Sequence, residues 1–405
     1  MTAALEGVRV IDLSRVLAGP YCAQMLADHG AEVIKVEPTA GDLTRTWGPA
    51  RPDGVSSYYA GLNRNKEHAS ADLSTAEGRA LVLRLLQDAD VLVENFKPGV
   101  MERWGLAATS LQERFPRLVH CRITAFGTEG PMAGLPGYDA VIQAYTGIMH
   151  LNGEPDGGPM RVPMPVTDLT AGLLALSGVL LALHERATSG RGQLVDLSLA
   201  DGALSLLHPI AANYFMTGEP PRRLGSGHPN IAPCEVFDSP VGQVYVAAGS
   251  DQQFALLVDF LGEPALAADP HYRTNGDRLA NRHELNAALA ALVGRLDPDT
   301  DIAGDMITKG VPASVVRPVE QVLGDPYLRE HEMVTEAGGV RMLGVPVRLS
   351  RTPGTVRTPP RRQGADTRAV LASAGLTSSQ IEDLITRGVV VADDSPITMH
   401  PPEER

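Results

Sequence analysis

The sequence predicts an α/β protein in which a large domain with a mostly parallel sheet is joined to a smaller one, and three observations predict it. At 405 residues the chain exceeds what one hydrophobic core usually organises, so it divides into domains. Its first forty residues alternate strand, helix and strand. After about Ala200 that alternation gives way to TGEPPRRLGSGHPNIAP, a Gly- and Pro-rich stretch with the composition of a linker.

VRVIDL (8–13) reads as a short apolar strand, SRVLAGP as a turn, YCAQMLADHG as a helix ending at Gly30, and AEVIKVE as a second strand ending at Glu37. A helix over 76–88, the strand VLVEN, a helix over 99–104 and the strand LVHCRITAF continue the pattern. A strand–helix–strand alternation of this kind closes on a parallel sheet. The uncharged run 169–183 is too short to span a bilayer, which needs about 20 residues, and reads as a buried core helix. Beyond it come a helical stretch over 202–215, a strand at GQVYVAA, helices over 253–261 and 282–296, and, over 334–391, strands followed by a helix at 378–386. The expected organisation is a large domain over 1–205, a linker over 206–235, a small domain over 236–318, a return segment over 319–391 completing the large domain, and a polar, Pro-rich tail over 392–405, disordered or loosely docked.

Composition narrows the function. A formal net charge of −13 without clustered Lys and Arg argues against nucleic acid, whose phosphates are held by basic patches. Three cysteines, Cys22, Cys121 and Cys234, lie far apart, which fits a reducing cytoplasm and neither a disulfide framework nor a zinc site. The eleven histidines form no HExxH or HxxxH pair, so no metal is expected. The N-terminus lacks the cationic start and apolar run of a secretory signal, and no membrane partner is expected. The remaining class of partner is a small molecule.

A strand–helix–strand start invites a nicotinamide-cofactor reading, with Glu37 placed to bind a ribose. The turn SRVLAGPYC nevertheless carries one glycine, Gly19, followed by proline, where a dinucleotide site needs GxGxxG. GxSxG and GxxxxGK[ST] are also absent. Two stretches stand out. In VLVENFKPGVMERWGL, Asn95, Phe96, Lys97 and Arg103 follow a strand, where an aromatic ring beside basic side chains suits a nucleotide; solvated charges at a strand end explain them equally. Asp168 heads the apolar run 169–183, as a helix N-cap, as a nucleophile whose neighbouring N–H groups stabilise an oxyanion, or as both.

Taken in order, VRVIDLSRVLAGPYCAQMLADHGAEVIKVE, GDLTR (41–45), ENFKPG (94–99), GYD (137–139), the Asp168 segment, GRGQLVDLSLADG (190–202) and GVPASVVRPVEQVLGDPYL (310–328) resemble the family III CoA-transferases, which include formyl-CoA transferase, carnitine CoA-transferase and the related α-methylacyl-CoA racemases. The resemblance runs from about Leu5 to Val391. It implies a large Rossmann-like domain, a small α/β domain and an interlocked homodimer. It implies coenzyme A, as an acyl-CoA substrate, near Val16, Asn95, Phe96 and Arg103, with Tyr138 close to the thioester and Arg45 as a phosphate partner. Asp168 would be the nucleophile, moving CoA to a carboxylic acid through an aspartyl-CoA thioester; as an aspartate ionised at neutral pH it would need no activating base.

Leu17 stands where formyl-CoA transferase has a glutamine, and the glycine-run loop of that enzyme is missing from 224–254, so formate and oxalate are disfavoured against a larger or less polar acid. The racemase branch pairs an aspartate with a histidine. Tyr138 occupies that histidine's position, and its phenol, with a reference pKa of about 10, is a poor substitute; His150 lies nearby in sequence and keeps the racemase as an alternative. A non-catalytic CoA-ester binder is the third reading.

Overall fold

Six strands of the N-terminal half form one parallel sheet: β1 (Arg9–Asp12), β2 (Glu32–Glu37), β3 (Glu67–Ser70), β4 (Val91–Glu94), β5 (Val119–Thr124) and β6 (Leu194–Ser198), in the order β3-β2-β1-β4-β5-β6. The computed structural model describes residues 3–393. Val10, Ile11, Val91, Leu92 and Val93 are fully buried, as expected of strands covered on both faces, and each contributes about 1.5–3 kcal/mol. β3, which sequence patterning did not reveal, is a polar strand held from far along the chain. The His68 N–H donates to Asp366 (2.9 Å) and the Ser70 N–H to Thr367 (3.1 Å).

Two units are resolved. Among the described residues the first comprises 3–146, 162–206 and 326–393, and the second 147–161 and 207–325. The expected boundaries shift accordingly. Residues 147–161 leave the large domain, and the return begins at Pro326, seven residues later than expected. The expected linker contains a helix, Ile210–Thr217, and the first residues of β7 (Cys234–Ser239). The helix expected over 202–215 is two, Leu199–Ser205 and Ile210–Thr217, interrupted around Pro209, which has no N–H to donate to a helix interior. In the second unit β7, β8 (Gly242–Ala247) and β9 (Ala313–Val315) make an antiparallel sheet. Phe237, Val244 and Val246 of that sheet share a core with Phe254, Leu257, Leu285 and Leu289 of its helices. Most of the tail, residues 394–405, lies outside the described residues.

The apolar run belongs to a helix of 24 residues, Val166–Ser189, long and apolar enough by composition to cross a membrane. Its inner face, with Ala171, Gly172, Ala175, Val179 and Ala182, is buried. Leu173, Leu174, Leu180 and Leu181 are exposed, so the helix is covered on one face and is not the fully buried element expected. At Gly172 a Cβ would stand 2.9 Å from the Ala18 carbonyl and 3.0 Å from the Tyr21 ring. Only glycine lets this helix approach Ala18–Asp28 so closely.

Candidate active site

The strand order reverses between β1 and β4, and in open parallel sheets ligands bind at the carboxyl ends of the strands at that switch. A cavity of about 520 Å³ lies there. It is walled by Arg15–Ala18 after β1, Asn95–Pro98 after β4 and Ile123–Ala125 at the end of β5, with Tyr138 and Asp168 among its other lining residues.

Asp168 is the third residue of its helix; Pro165 precedes the first and supplies no side-chain cap. The N-cap reading is therefore corrected. The helix begins earlier than the apolar run suggested, because Val166 and Thr167 are already helical. The Asp168 side chain, 8% exposed, accepts no hydrogen bond among the described residues. Burial, and then the nearby Asp139 carboxylate, push its pKa up to about 7. A carboxyl at that value is about half protonated at neutral pH, so the expectation of a fully ionised nucleophile is also corrected. Asp139 sets the first turn in place, accepting from the Thr167 N–H (2.8 Å) and hydroxyl (2.8 Å), while Gln143 donates to its other oxygen (2.6 Å). The expected free N–H groups beside Asp168 are largely engaged: Val166 donates to Met164, Thr167 to Asp139 and Leu169 to Pro165. Unengaged donors lie instead at the start of Ala18–Asp28. Ala18 lines the cavity, and the Ala18 and Gly19 N–H groups have no acceptor among the described residues.

Val16 lines the cavity with φ +68°. Asn95 lines it too, and its side chain is committed to Arg15: Oδ1 accepts from the Arg15 N–H (2.8 Å) and Nδ2 donates to the Arg15 carbonyl (2.7 Å). Phe96 is buried edge-on against Trp104, with the Arg15 guanidinium 4.9 Å from its ring centroid. Tyr138 is 57% exposed on the cavity wall, just before the helix Asp139–Tyr145. Arg103 is exposed at the end of Val100–Arg103 and is not part of that wall.

Arg45 is not placed as a phosphate partner. Its guanidinium forks onto Glu37 (2.7 and 2.6 Å), donates to the Arg361 carbonyl (3.2 Å) and stacks on Tyr59 with its centre 3.7 Å from the ring centroid. Burial raises the Glu37 pKa, but Arg45 and His68 outweigh it and hold the carboxyl well below the ordinary range. Glu37 is thus an internal counter-ion and not a ribose ligand. Arg15 and Lys97 are the cations in the cavity wall, and neither has a carboxylate partner among the described residues. Lys97 stood in a recognisable motif. The signal for Arg15 in the sequence is a basic residue in the first βα turn, where a dinucleotide fold carries glycine. The wall contains no histidine; His150 belongs to the second unit, where its carbonyl accepts from Arg223 (3.0 Å). Among the described residues no cluster of three or more His, Cys, Asp or Glu could hold a metal.

A switch-point cavity with a buried carboxylate and two cations that lack a carboxylate partner among the described residues suits a small anionic ligand. The comparisons give such a site a family: the profile of CoA-transferase family III matches residues 5–367, and the chain belongs to that family. It is 40% identical over 383 residues to a succinate–glutarate CoA-transferase of Agrobacterium fabrum, covering 91% of this chain and 95% of the relative. It is 35% identical over 395 residues to the human succinyl-CoA:glutarate CoA-transferase, covering 95% and 90%. A crystal structure of a CaiB/BaiF family protein from Brucella suis superposes with a TM-score of 0.82 at 38% identity, covering 92% of this chain and all of that one. The chain is therefore a CoA-transferase with acyl-CoA as a substrate.

Proposed function

We propose that this enzyme moves CoA from a dicarboxylic acyl-CoA, such as succinyl-CoA, to a second dicarboxylic acid of four or five carbons through an aspartyl-CoA thioester on Asp168. The observation that carries the mechanism is the Asp168 carboxylate, without a hydrogen-bond partner and with its pKa raised to about 7, in the wall of the switch-point cavity. Such a carboxylate is more nucleophilic than an ordinary one and is not occupied by a cap. The dicarboxylate preference is supported by relatives named for succinate, glutarate, citramalate and mesaconate, and by Arg15 and Lys97 as cations available to anionic groups. A relative named acetyl-CoA:oxalate CoA-transferase, 38% identical over 347 residues, places oxalate among the acceptors to be compared.

In the scheme, an ionised Asp168 oxygen attacks the thioester carbonyl. The C–S bond breaks, giving a mixed anhydride and CoA thiolate. The thiolate attacks the Asp168 carboxyl carbon, and the donor acid leaves with the former Asp168 oxygen. The acceptor carboxylate attacks the aspartyl thioester, and the same steps in reverse form the new acyl-CoA and restore Asp168; no net proton is taken up. The Ala18 and Gly19 N–H groups, at the positive end of their helix, are the donors suited to the developing oxyanion. Asp139 holds the turn that carries Asp168. Phe96 and Arg15 offer a face and a charge to the CoA moiety, with Tyr138 beside the thioester and Arg103 further out. A homodimer is part of the same reading, supported by the exposed leucines of Val166–Ser189, and a cytoplasmic location is proposed with it on the three scattered cysteines. The experiment is a matrix of acyl-CoA donors and carboxylate acceptors read by mass spectrometry. Exchange confined to dicarboxylic pairs is expected; exchange only between monocarboxylates would overturn the substrate class.

A further inference from the structure

A β-branched residue with φ near +68° is a strained outlier, kept only where its surroundings over-determine it. At Val16 the peptide joining it to Arg15 is held at both ends. The carbonyl of that peptide accepts from Asn95 Nδ2 (2.7 Å), and its N–H faces the two Asp42 oxygens (3.3 and 3.5 Å). Asn95 Oδ1 fixes the preceding peptide through the Arg15 N–H (2.8 Å). Asp42 is itself immobilised: it is buried, pairs with Lys35 (3.3 Å), and accepts from the Thr44 N–H (3.0 Å) and hydroxyl (2.8 Å). Asn95 follows β4 and Asp42 follows β2, so loops from both sides of β1 clamp one peptide plane.

The clamp has a consequence for the cavity. Reversing the peptide would let Val16 relax to negative φ and would redirect Leu17 and Ala18, which line the cavity and open the helix whose first N–H groups, on Ala18 and Gly19, are unengaged.

We infer that Asn95 and Asp42 are positioning residues, which hold the Arg15–Val16 peptide in its strained orientation and thereby keep the Leu17–Ala18 wall in the geometry that meets the acyl-CoA. Neither needs to touch the reacting atoms. The inference rests on the proposed function for its turnover readout alone.

The test is rescue by glycine, which adopts positive φ without strain. Asn95→Ala is expected to lower kcat/KM roughly tenfold, the scale of one strained residue released. In the Val16→Gly background the same substitution is expected to lower it twofold or less. Asn95→Asp, which keeps the acceptor for the Arg15 N–H but loses the donor to its carbonyl, should show the same rescue and serves if the alanine variant does not fold. Calorimetric affinity for CoA and amide exchange over residues 15–18 follow the clamp without turnover. Faster exchange in Asn95→Ala and in Asp42→Asn is expected. If the parent turned over no acyl-CoA, the transferase scheme would fall and these two readouts would decide the clamp. An equal loss in both backgrounds, with unchanged exchange, would overturn the inference and make Asn95 a direct substrate contact.

Discussion

Replacing Asp168 with Asn should stabilise the fold at alkaline pH while abolishing transfer. Burial and the Asp139 carboxylate raise the Asp168 pKa from 3.8 to about 7. The folded carboxyl therefore holds its proton across a range in which the unfolded one has lost it, and stability falls as pH rises through that range. The penalty is absent below about pH 4 and complete above pH 7. Three units correspond to roughly 4 kcal/mol at about 1.4 kcal/mol per unit, of which between about 1 and 2 kcal/mol is already present at pH 5. Asparagine, of the same shape and uncharged, carries none of it. Denaturation of parent and Asp168→Asn at pH 5 and pH 8 should show the variant's advantage growing by about 2–3 kcal/mol at the higher pH. A variant less stable than the parent at both values, or a difference independent of pH, would refute the buried-charge account.

The same titration predicts activity: kcat/KM should rise with pH to a plateau through a limb near 7, and Asp139→Asn should move that limb to lower pH, read from pH–rate profiles of both proteins. Arg15→Ala should raise KM for acyl-CoA about ten- to a hundredfold with kcat nearly unchanged, the value of one charge-assisted contact, and steady-state kinetics at two ionic strengths would check it. Arg45→Ala should instead lower stability by up to about 3–5 kcal/mol by removing the guanidinium that neutralises the buried Glu37, seen as a lower melting temperature without a change in CoA affinity of the folded fraction.

The sheet was readable where its cause is local. VRVIDL, AEVIKVE and VLVEN are apolar runs bounded by turn residues, and β1, β2 and β4 fall on them. β3 is illegible because Glu67, His68 and Ser70 leave it a single apolar residue, Ala69, and its partners Asp366 and Thr367 lie about 300 residues away. Asp168 stands out by its isolation before an apolar run, yet its position within the helix does not, since Thr167 and Asp168 are both residue types that favour an N-cap while Pro165, the actual N-cap, carries no such side chain. The fate of Arg45 turned on Glu37, whose burial no spacing rule discloses. Asp139 stood inside the GYD motif, but its role depends on Thr167, 28 residues further on. Contacts between loops after different strands are set by topology, and so the clamp on Val16 also had no linear signature.

The central claim is a covalent intermediate on Asp168, and trapping it is the most direct measurement. With a competent acyl-CoA present, hydroxylamine or borohydride should modify the peptide containing VTDLTAGLL at Asp168, because an aspartyl thioester is electrophilic where a free carboxylate is not. Free CoA should give no label, since only thioester cleavage supplies the energy to activate the carboxyl, and Asp168→Ala should give none either. Label on another residue, or none despite saturation with a donor shown to turn over, would contradict the mechanism.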